Sequence, residues 1–329
     1  MKKILAHLFE YKTFTKEEAY SILTNIATGK YDTHQIAAFM TAYGMRSIRV
    51  EELAGFRQAM YDLCLKVDFP GYDLIDLCGT GGDGKNTFNI STLASFVVAG
   101  AGYQVAKHGN VGVSSGCGSS NVMEYLGYRF TNQQDELQRQ LDQANICFLH
   151  APLFHPAMKT VAPIRRALGV KTFFNMLGPL TNPANPRFQA VGVFSLELAR
   201  LYNYLYQDSN KQYSVIHALD GYDEISLTGD FKLIDNQGEH YFTVEDLGFS
   251  PIAAIDLAGG DTVEEAAAIF RTILNTEGNE VQNNVVLTNA AFAIKTIHPE
   301  KSFGDCYYEA EASLLGKKAL QCFQKLIAS

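Results

Sequence analysis

The chain has 329 residues, 47% of them hydrophobic and 19% charged, enough for one large or two ordinary domains around a substantial core. Its net charge of −8 is spread over both signs with no Lys/Arg run, which argues against nucleic acid or an anionic membrane as a partner. The six cysteines form no Cys-x-x-Cys pair and read as free thiols of a reducing compartment. Residues 1–10 are too short and too soon charged for a signal peptide, and no apolar run approaches the roughly 18 residues of a membrane helix, so a cytoplasmic protein is expected.

Residues 1–70 read as a small helical domain. Thr15-Lys16-Glu17-Glu18 has the form of a capping box, further helices start near Thr33 and Val50, and apolar residues recur at three- and four-residue spacing. Pro70-Gly71 marks the crossing into a second domain, 71–329, where strands and helices alternate. Residues 72–78 read as a buried strand, followed by Gly79, Gly81, Gly82 and Gly84. Glycines so close together fit neither a helix nor a packed strand. They make a loop whose backbone N–H groups can converge on an anion. Asn89, Ser91 and Thr92 then precede a helix over 93–99, with Ser91 or Thr92 expected as its N-cap and its N-terminus adding positive potential. Neither Gly-x-x-x-x-Gly-Lys-Ser/Thr nor Gly-x-Gly-x-x-Gly is present, and Asp83 beside a phosphate makes sense when a divalent cation bridges the two.

The pattern repeats. A strand over 102–106 runs into Lys107-His108-Gly109-Asn110, a glycine- and serine-rich loop covers 111–121, and a helix covers 122–126. Both loops should meet at the carboxyl ends of neighbouring parallel strands, with Lys107 offering a point charge and the serines hydroxyl donors to phosphate. A polar helix over 133–145 and a strand over 145–150 follow, then Arg165-Arg166 on a helical segment. Adjacent helical residues face directions about 100° apart, so one arginine can read a ligand carboxylate while the other is structural or solvated. A strand over 213–219 ends in Asp220-Gly221-Tyr222-Asp223-Glu224. Adjacent carboxylates repel unless a cation or hydrogen bonds compensate, and hard oxygen ligands suit Mg²⁺; the alternative is an acidic surface turn. Residues 225–229 and 231–241 look like antiparallel strands with a turn at Asn236-Gln237-Gly238, and helices over 263–275, 281–296 and 310–327 close the chain.

Gly79-Thr80-Gly81-Gly82-Asp83, Asn89-Ile90-Ser91-Thr92, Lys107-His108-Gly109-Asn110, His155-Pro156, Arg165-Arg166-Ala167-Leu168-Gly169, residues 174–183 and Asp223-Glu224, together with residues 285–291, resemble the anthranilate phosphoribosyltransferase family in order and nearly end to end. The resemblance implies a nucleoside phosphorylase-like fold. A small α-helical domain, including a segment returning near 163–188, accompanies a large α/β domain with a central mixed sheet, and members are homodimers through the helical domain. The implied reaction moves the 5-phosphoribosyl group from phosphoribosyl pyrophosphate to the amine of anthranilate, giving N-(5-phosphoribosyl)anthranilate and pyrophosphate in tryptophan biosynthesis.

Carried over residue by residue, the resemblance assigns the donor to Gly79, Gly82, Asp83, Thr87, Asn89, Ile90, Ser91, Thr92, Lys107, His108, Gly109, Asn110, Ser114, Ser115 and Ser119. Anthranilate falls to Gly79, Asn110 and Arg165, and Mg²⁺, two ions per monomer, to Ser91, Asp223 and Glu224. His108, near the amine, is the single candidate catalytic group, and Pro152 and His155 line the entry channel. Val111, Gly116-Cys117-Gly118, Ser120-Asn121 and Lys171 depart from the family pattern, and two positive charges are missing from the second loop. A pyrimidine nucleoside phosphorylase, on the same fold, would carry a Lys-x-Ser phosphate motif; Lys107-His108-Gly109-Asn110 and Arg165 speak against it. A non-catalytic nucleic-acid-binding relative would be basic, and this chain is acidic and keeps Asp223-Glu224.

Overall fold

The structure, a computed structural model, describes residues 1–112 and 117–329. The chain forms two compact units, Met1–Val67 with Ala151–Pro183, and Asp68–His150 with Ala184–Ser329.

The first unit is helical. Helices Lys2–Phe9, Lys16–Ala27, Thr33–Gly44 and Val50–Asp62 are joined by the returning helices Ala151–Phe154 and Met158–Leu168 and two 3₁₀ turns, Phe173–Met176 and Gly178–Leu180. The return begins at Ala151 rather than near 163, because the chain leaves the sheet of the second unit at His150. The capping box at Thr15 is formed: Thr15 Oγ1 accepts the Glu18 N–H at 3.2 Å and Glu18 accepts the Thr15 N–H at 2.9 Å. Phe39, Tyr43, Phe56 and Phe173 pack with centroids 4.7–6.2 Å apart. Beside them the buried Glu52 pairs with Arg46 and accepts from Phe14 N–H (3.1 Å), Tyr43 O–H (2.9 Å) and Arg49 N–H (2.9 Å). Burial raises the Glu52 pKa, but Arg46 and the two backbone donors outweigh it and the carboxyl is held below its usual range.

The second unit is built on one sheet with strands β1 (Leu74–Gly79), β2 (Gln104–Gly109), β3 (Ile146–His150), β4 (Phe188–Gly192), β5 (Gln212–Ala218), β6 (Phe231–Asp235) and β7 (Gly238–Phe242). Their order is β3-β2-β1-β4-β5-β6-β7; the first five are parallel and β6 and β7 antiparallel, the mixed sheet expected from the sequence. Connection direction reverses between β1 and β4, the switch point where open α/β sheets bind ligands. Helix Ile90–Gly100 is mostly apolar and buried from Thr92 to Ala99, packed against helices Glu280–Ile297 and Lys318–Ala328.

Two expectations fail locally. Residues 225–229 form no strand; both backbone groups of Ile225 are taken by the Asn289 side chain, and Leu227 has φ +58°. The last helix is two, Phe303–Leu315 and Lys318–Ala328, broken where Lys317 adopts φ +58°. The expected β6–β7 hairpin is present, with Asp235 Oδ1 accepting the N–H groups of Gln237 (2.7 Å) and Gly238 (3.1 Å).

Helices Lys16–Ala27 and Val50–Asp62 cross so closely that a Cβ on Gly55 would lie 2.2 Å from Lys16 O. Gly55→Ala should therefore destabilise the chain by about 1–3 kcal/mol, read as a lower denaturant midpoint at unchanged slope; an unchanged midpoint would contradict this packing.

Candidate active site

The carboxyl end of β1 opens into the glycine loop. Gly81, Gly82 and Gly84 have φ of +64°, +77° and +77°, where a side chain is strained. The loop is pinned at both ends: the Thr80 N–H donates to Gly192 O at 3.0 Å, and Phe88 N–H donates to Leu257 O at 2.9 Å beside the Thr87–Ala258 bridge. Within it, Gly81 N–H donates to Asp223 Oδ2 at 2.6 Å and Lys85 N–H to Asp83 Oδ1 at 3.0 Å. The N–H groups of Asp83 and Gly84, neither of them buried, make no hydrogen bond among the described residues, so they are open to an anion; Gly82 is buried. The following helix starts at Ile90 with Asn89 as N-cap, two to three residues before the expected cap, because Ile90 already packs in the core. Ser91 and Thr92 thus lie in the first turn.

The second loop reaches the first. The Asn89 side-chain amide donates to Cys117 O at 3.4 Å, as neighbouring parallel strands β1 and β2 allow. Asn110 O accepts Ser120 N–H at 3.1 Å and Ser119 O–H at 3.4 Å, and Asn110 Oδ1 accepts Val111 N–H at 2.8 Å. Asn121 Oδ1 closes the loop by accepting the N–H of Gly112 (3.0 Å) and of Gly118 (3.1 Å). A Cβ on Gly118 would meet Gly112 N at 2.1 Å, and one on Gly109 would meet Phe148 at 2.7 Å and Ser119 Oγ at 2.8 Å. Ser114 and Ser115 lie outside the described residues.

The acidic pair enters from the loop after β5. A Cβ on Gly192 would lie 1.5 Å from Asp223 O, and one on Gly79 would lie 2.4 Å from Asp223 Oδ2, so Asp223 is wedged between the ends of β1 and β4. A cavity of about 20 Å³ behind the pair is lined by Ser91, Asp223, Glu224 and Asn289, room for one water. Burial, with Asp83 second, pushes the Asp223 pKa up to about 7; burial and then Asp223 push Glu224 up to about 8, against Lys107 and the Ser91 hydroxyl.

Lys107 departs from the phosphate-facing charge expected. It is 2% exposed, and its ammonium donates to Leu77 O and, at 3.4 Å, to Ser91 Oγ. Burial lowers its pKa, while Asp76, Cys78 and Glu224 oppose that. Its charge is therefore spent inside the sheet, on the acids, before it reaches solvent. His108 is buried on the same strand, its backbone N–H donating to Asp76 Oδ1 at 3.1 Å, and Asp76 Oδ2 accepts from the Gln189 amide at 3.2 Å.

Arg165 belongs to the helical unit, as do Pro152 and the buried His155. The two arginines of helix Met158–Leu168 do face different ways: Arg166 is exposed, while Arg165 is half-buried, donates to Asn175 Oδ1 at 3.1 Å and lies 5.8 Å from the Phe174 ring centre. Burial lowers its pKa. Within the α/β unit the structure gathers Gly79, Gly82, Asp83, Thr87, Asn89, Ile90, Ser91, Thr92, Lys107, His108, Gly109, Asn110, Ser119, Asp223 and Glu224 around the ends of β1, β2, β4 and β5. Sequence reasoning gave no functional role to Asp76, Asn121, Gln189 and Asn289. The available signal was polarity inside otherwise apolar buried segments, Asp76 in β1 and Asn289 within 285–294.

Among the described residues no group of three or more His, Cys, Asp or Glu forms a metal cage. A pair of carboxylates with one hydroxyl still fits Mg²⁺, which keeps waters and takes substrate phosphate oxygens rather than an all-protein shell.

Residues 71–320 match a family model described as "Glycosyl transferase family, a/b domain", and residues 2–64 one described as "Glycosyl transferase family, helical bundle domain". Among curated proteins, the anthranilate phosphoribosyltransferase of Christiangramia forsetii is 56% identical over 99% of this chain and 98% of its own length. Among solved structures, the anthranilate phosphoribosyltransferase of Thermus thermophilus superposes with TM-score 0.91 at 31% identity, covering 98% of both chains. The Saccharomyces cerevisiae enzyme in complex with PRPP and Mg superposes with TM-score 0.90 at 25% identity, covering 98% of this chain and 96% of its own.

The raised pKa values fix the sign of a pH effect. A carboxyl whose folded pKa is raised contributes stability at low pH and loses it as pH climbs from the ordinary carboxylate range through the folded value. The metal-free chain should therefore lose thermal stability between about pH 4 and the values of about 7 and 8 held by Asp223 and Glu224. Thermal melts of Asp223→Asn with Glu224→Gln should show a shallower decline; an identical slope would show the pair is not strained.

Proposed function

The chain belongs to the anthranilate phosphoribosyltransferase family of glycosyl transferases, and from that premise we propose that it transfers the 5-phosphoribosyl group of phosphoribosyl pyrophosphate to the amine of anthranilate. The observation that carries this reading is the acid pair wedged between β1 and β4 beside a loop with open backbone N–H groups. Displacement at the anomeric carbon with diphosphate leaving calls for positioning and neutralisation of charge more than for a protein nucleophile.

In this reading Gly79, Gly82, Asp83, Thr87 and Asn89 to Thr92 take the donor, with the free N–H groups of the first loop on its phosphates. His108, Gly109, Asn110, Ser114, Ser115 and Ser119 complete the donor site from the second loop, and Lys107 acts through Ser91 and Glu224. Ser91, Asp223 and Glu224 would hold Mg²⁺, two ions per monomer, which would supply positive charge to the diphosphate leaving group. Arg165 takes the anthranilate carboxylate, Asn110 and Gly79 also serve anthranilate, and His108 is the candidate catalytic group for the amine. Exposed Phe9, Tyr11 and Met45 on the helical unit support a homodimer formed there. Six free cysteines support a cytoplasmic location.

Incubation with anthranilate, phosphoribosyl pyrophosphate and Mg²⁺ should quench anthranilate fluorescence, and omission of any one component should abolish the change. Persistent fluorescence with all three present would end the reading. Arg165→Ala should raise the anthranilate KM tenfold or more, as loss of a charged hydrogen bond of about 1.5–3 kcal/mol requires, and move the donor KM less than about twofold; equal shifts in both would remove Arg165 from the acceptor site.

A further inference from the structure

Asn289 sits in the middle of helix Glu280–Ile297, in a stretch where its neighbours Leu287, Ala290, Ala291 and Phe292 are apolar and buried. A polar side chain there must satisfy its own hydrogen bonds or be costly. Asn289 does so largely on one residue of another segment: its Oδ1 accepts Ile225 N–H at 3.0 Å, and its Nδ2 donates to Ile225 O at 2.9 Å and to Val285 O at 2.8 Å. Ile225 directly follows Glu224, and Asn289 lines the same small cavity as Asp223, Glu224 and Ser91.

We infer that Asn289 is a positioning residue for the metal-binding acid pair, an inference that rests on the assignment of Mg²⁺ to Asp223 and Glu224. Neighbouring carboxylates push each other apart, and the chain that carries them forms no strand that would hold it. Asp223 is braced from one side by Gly79, Gly192 and the Gly81 N–H. Asn289 supplies the brace on the other side by fixing both backbone groups of the next residue. Its helix packs on helix Ile90–Gly100, which carries Ser91, so the carboxylates and the hydroxyl are referred to the same pair of packed helices. A carboxamide carries its donor and its acceptor on two separate atoms, matching the N–H and C=O of one residue; an apolar isostere of the same size leaves Ile225 N–H and C=O buried and unbonded.

The test uses the full chain and two variants, Asn289→Leu, of similar size, and Asn289→Ala. The Mg²⁺ half-saturation of the transfer reaction should rise about tenfold, with the anthranilate KM within about twofold. Hydrogen exchange at the Ile225 amide should accelerate in the metal-free variants while helix Ile90–Gly100 stays protected. Faster exchange at Ile225 with an unchanged Mg²⁺ half-saturation would reduce Asn289 to a structural residue and overturn the inference. Glu224→Gln, measured in parallel, separates the two failures. If it too leaves the Mg²⁺ dependence unchanged, the metal assignment falls; if it shifts while the Asn289 variants do not, only the inference falls. Should neither Asn289 variant fold, the wild-type chain decides: Mg²⁺ with phosphoribosyl pyrophosphate should slow exchange at the Ile225 amide, and no change there would overturn the proposal.

Discussion

Asp223 can stand where it does only because nothing projects from residues 79 and 192. These two glycines are paired in register at the ends of β1 and β4, and a methyl group on either would fall within bonding or clashing distance of Asp223. Their missing side chains open a slot at the point where the strand order of the sheet reverses, and the loop after β5 fills that slot with carboxylate. The glycine at the end of β1 therefore serves a different purpose from those that follow it. Gly81, Gly82 and Gly84 are required by left-handed backbone, Gly79 by the close approach of another chain segment.

Placing two acids in that slot has an electrostatic cost that the protein offsets only in part. Gly81 N–H, the Ser91 hydroxyl and the buried Lys107 favour the ionised forms; burial, mutual repulsion and Asp83 oppose them and prevail. Lys107 explains why the imbalance is not larger. Its ammonium is enclosed by the sheet, and Asp76, Cys78 and Glu224 hold its charge against the pull of burial. The remaining deficit of positive charge lies beside N–H groups that face no partner among the described residues. A divalent cation alone or an anion alone would be poorly served by such a place, whereas a cation carrying a diphosphate satisfies both halves together.

Much of this was legible in the sequence because the features are local. The glycine loop, the Thr15 capping box, the β6–β7 turn and the acidic pair each announce themselves within a few residues, and the family resemblance ordered them along the chain. What was not legible depends on partners far away in the chain. Residues 225–229 have the composition of a strand, but Asn289, 64 positions after Ile225, takes the hydrogen bonds a strand would need. The helix after the first loop begins at Ile90 because that residue packs in the core, so a cap chosen by side-chain type alone lands at Ser91 or Thr92. Lys107 looked like a phosphate ligand because a lysine at a strand end is commonly solvent-facing, and only the depth of the sheet around it turns it inward.

The reaction read from this site needs no nucleophile from the protein, and the structure shows where its sequence information goes instead. Three asparagines each bind backbone rather than side chain: Asn89 joins the first loop to Cys117, Asn121 ties Gly112 to Gly118, and Asn289 holds Ile225. Each stands next to one of the three segments that meet at the carboxyl ends of the strands. Glycine makes those segments able to approach one another but leaves them conformationally loose, at an entropic cost for each residue fixed. A short amide side chain restores the constraint by supplying the donor or acceptor that regular secondary structure cannot provide in a loop. Catalysis by orientation demands that restraint, since groups that act only by their placement lose their effect when displaced by about an ångström.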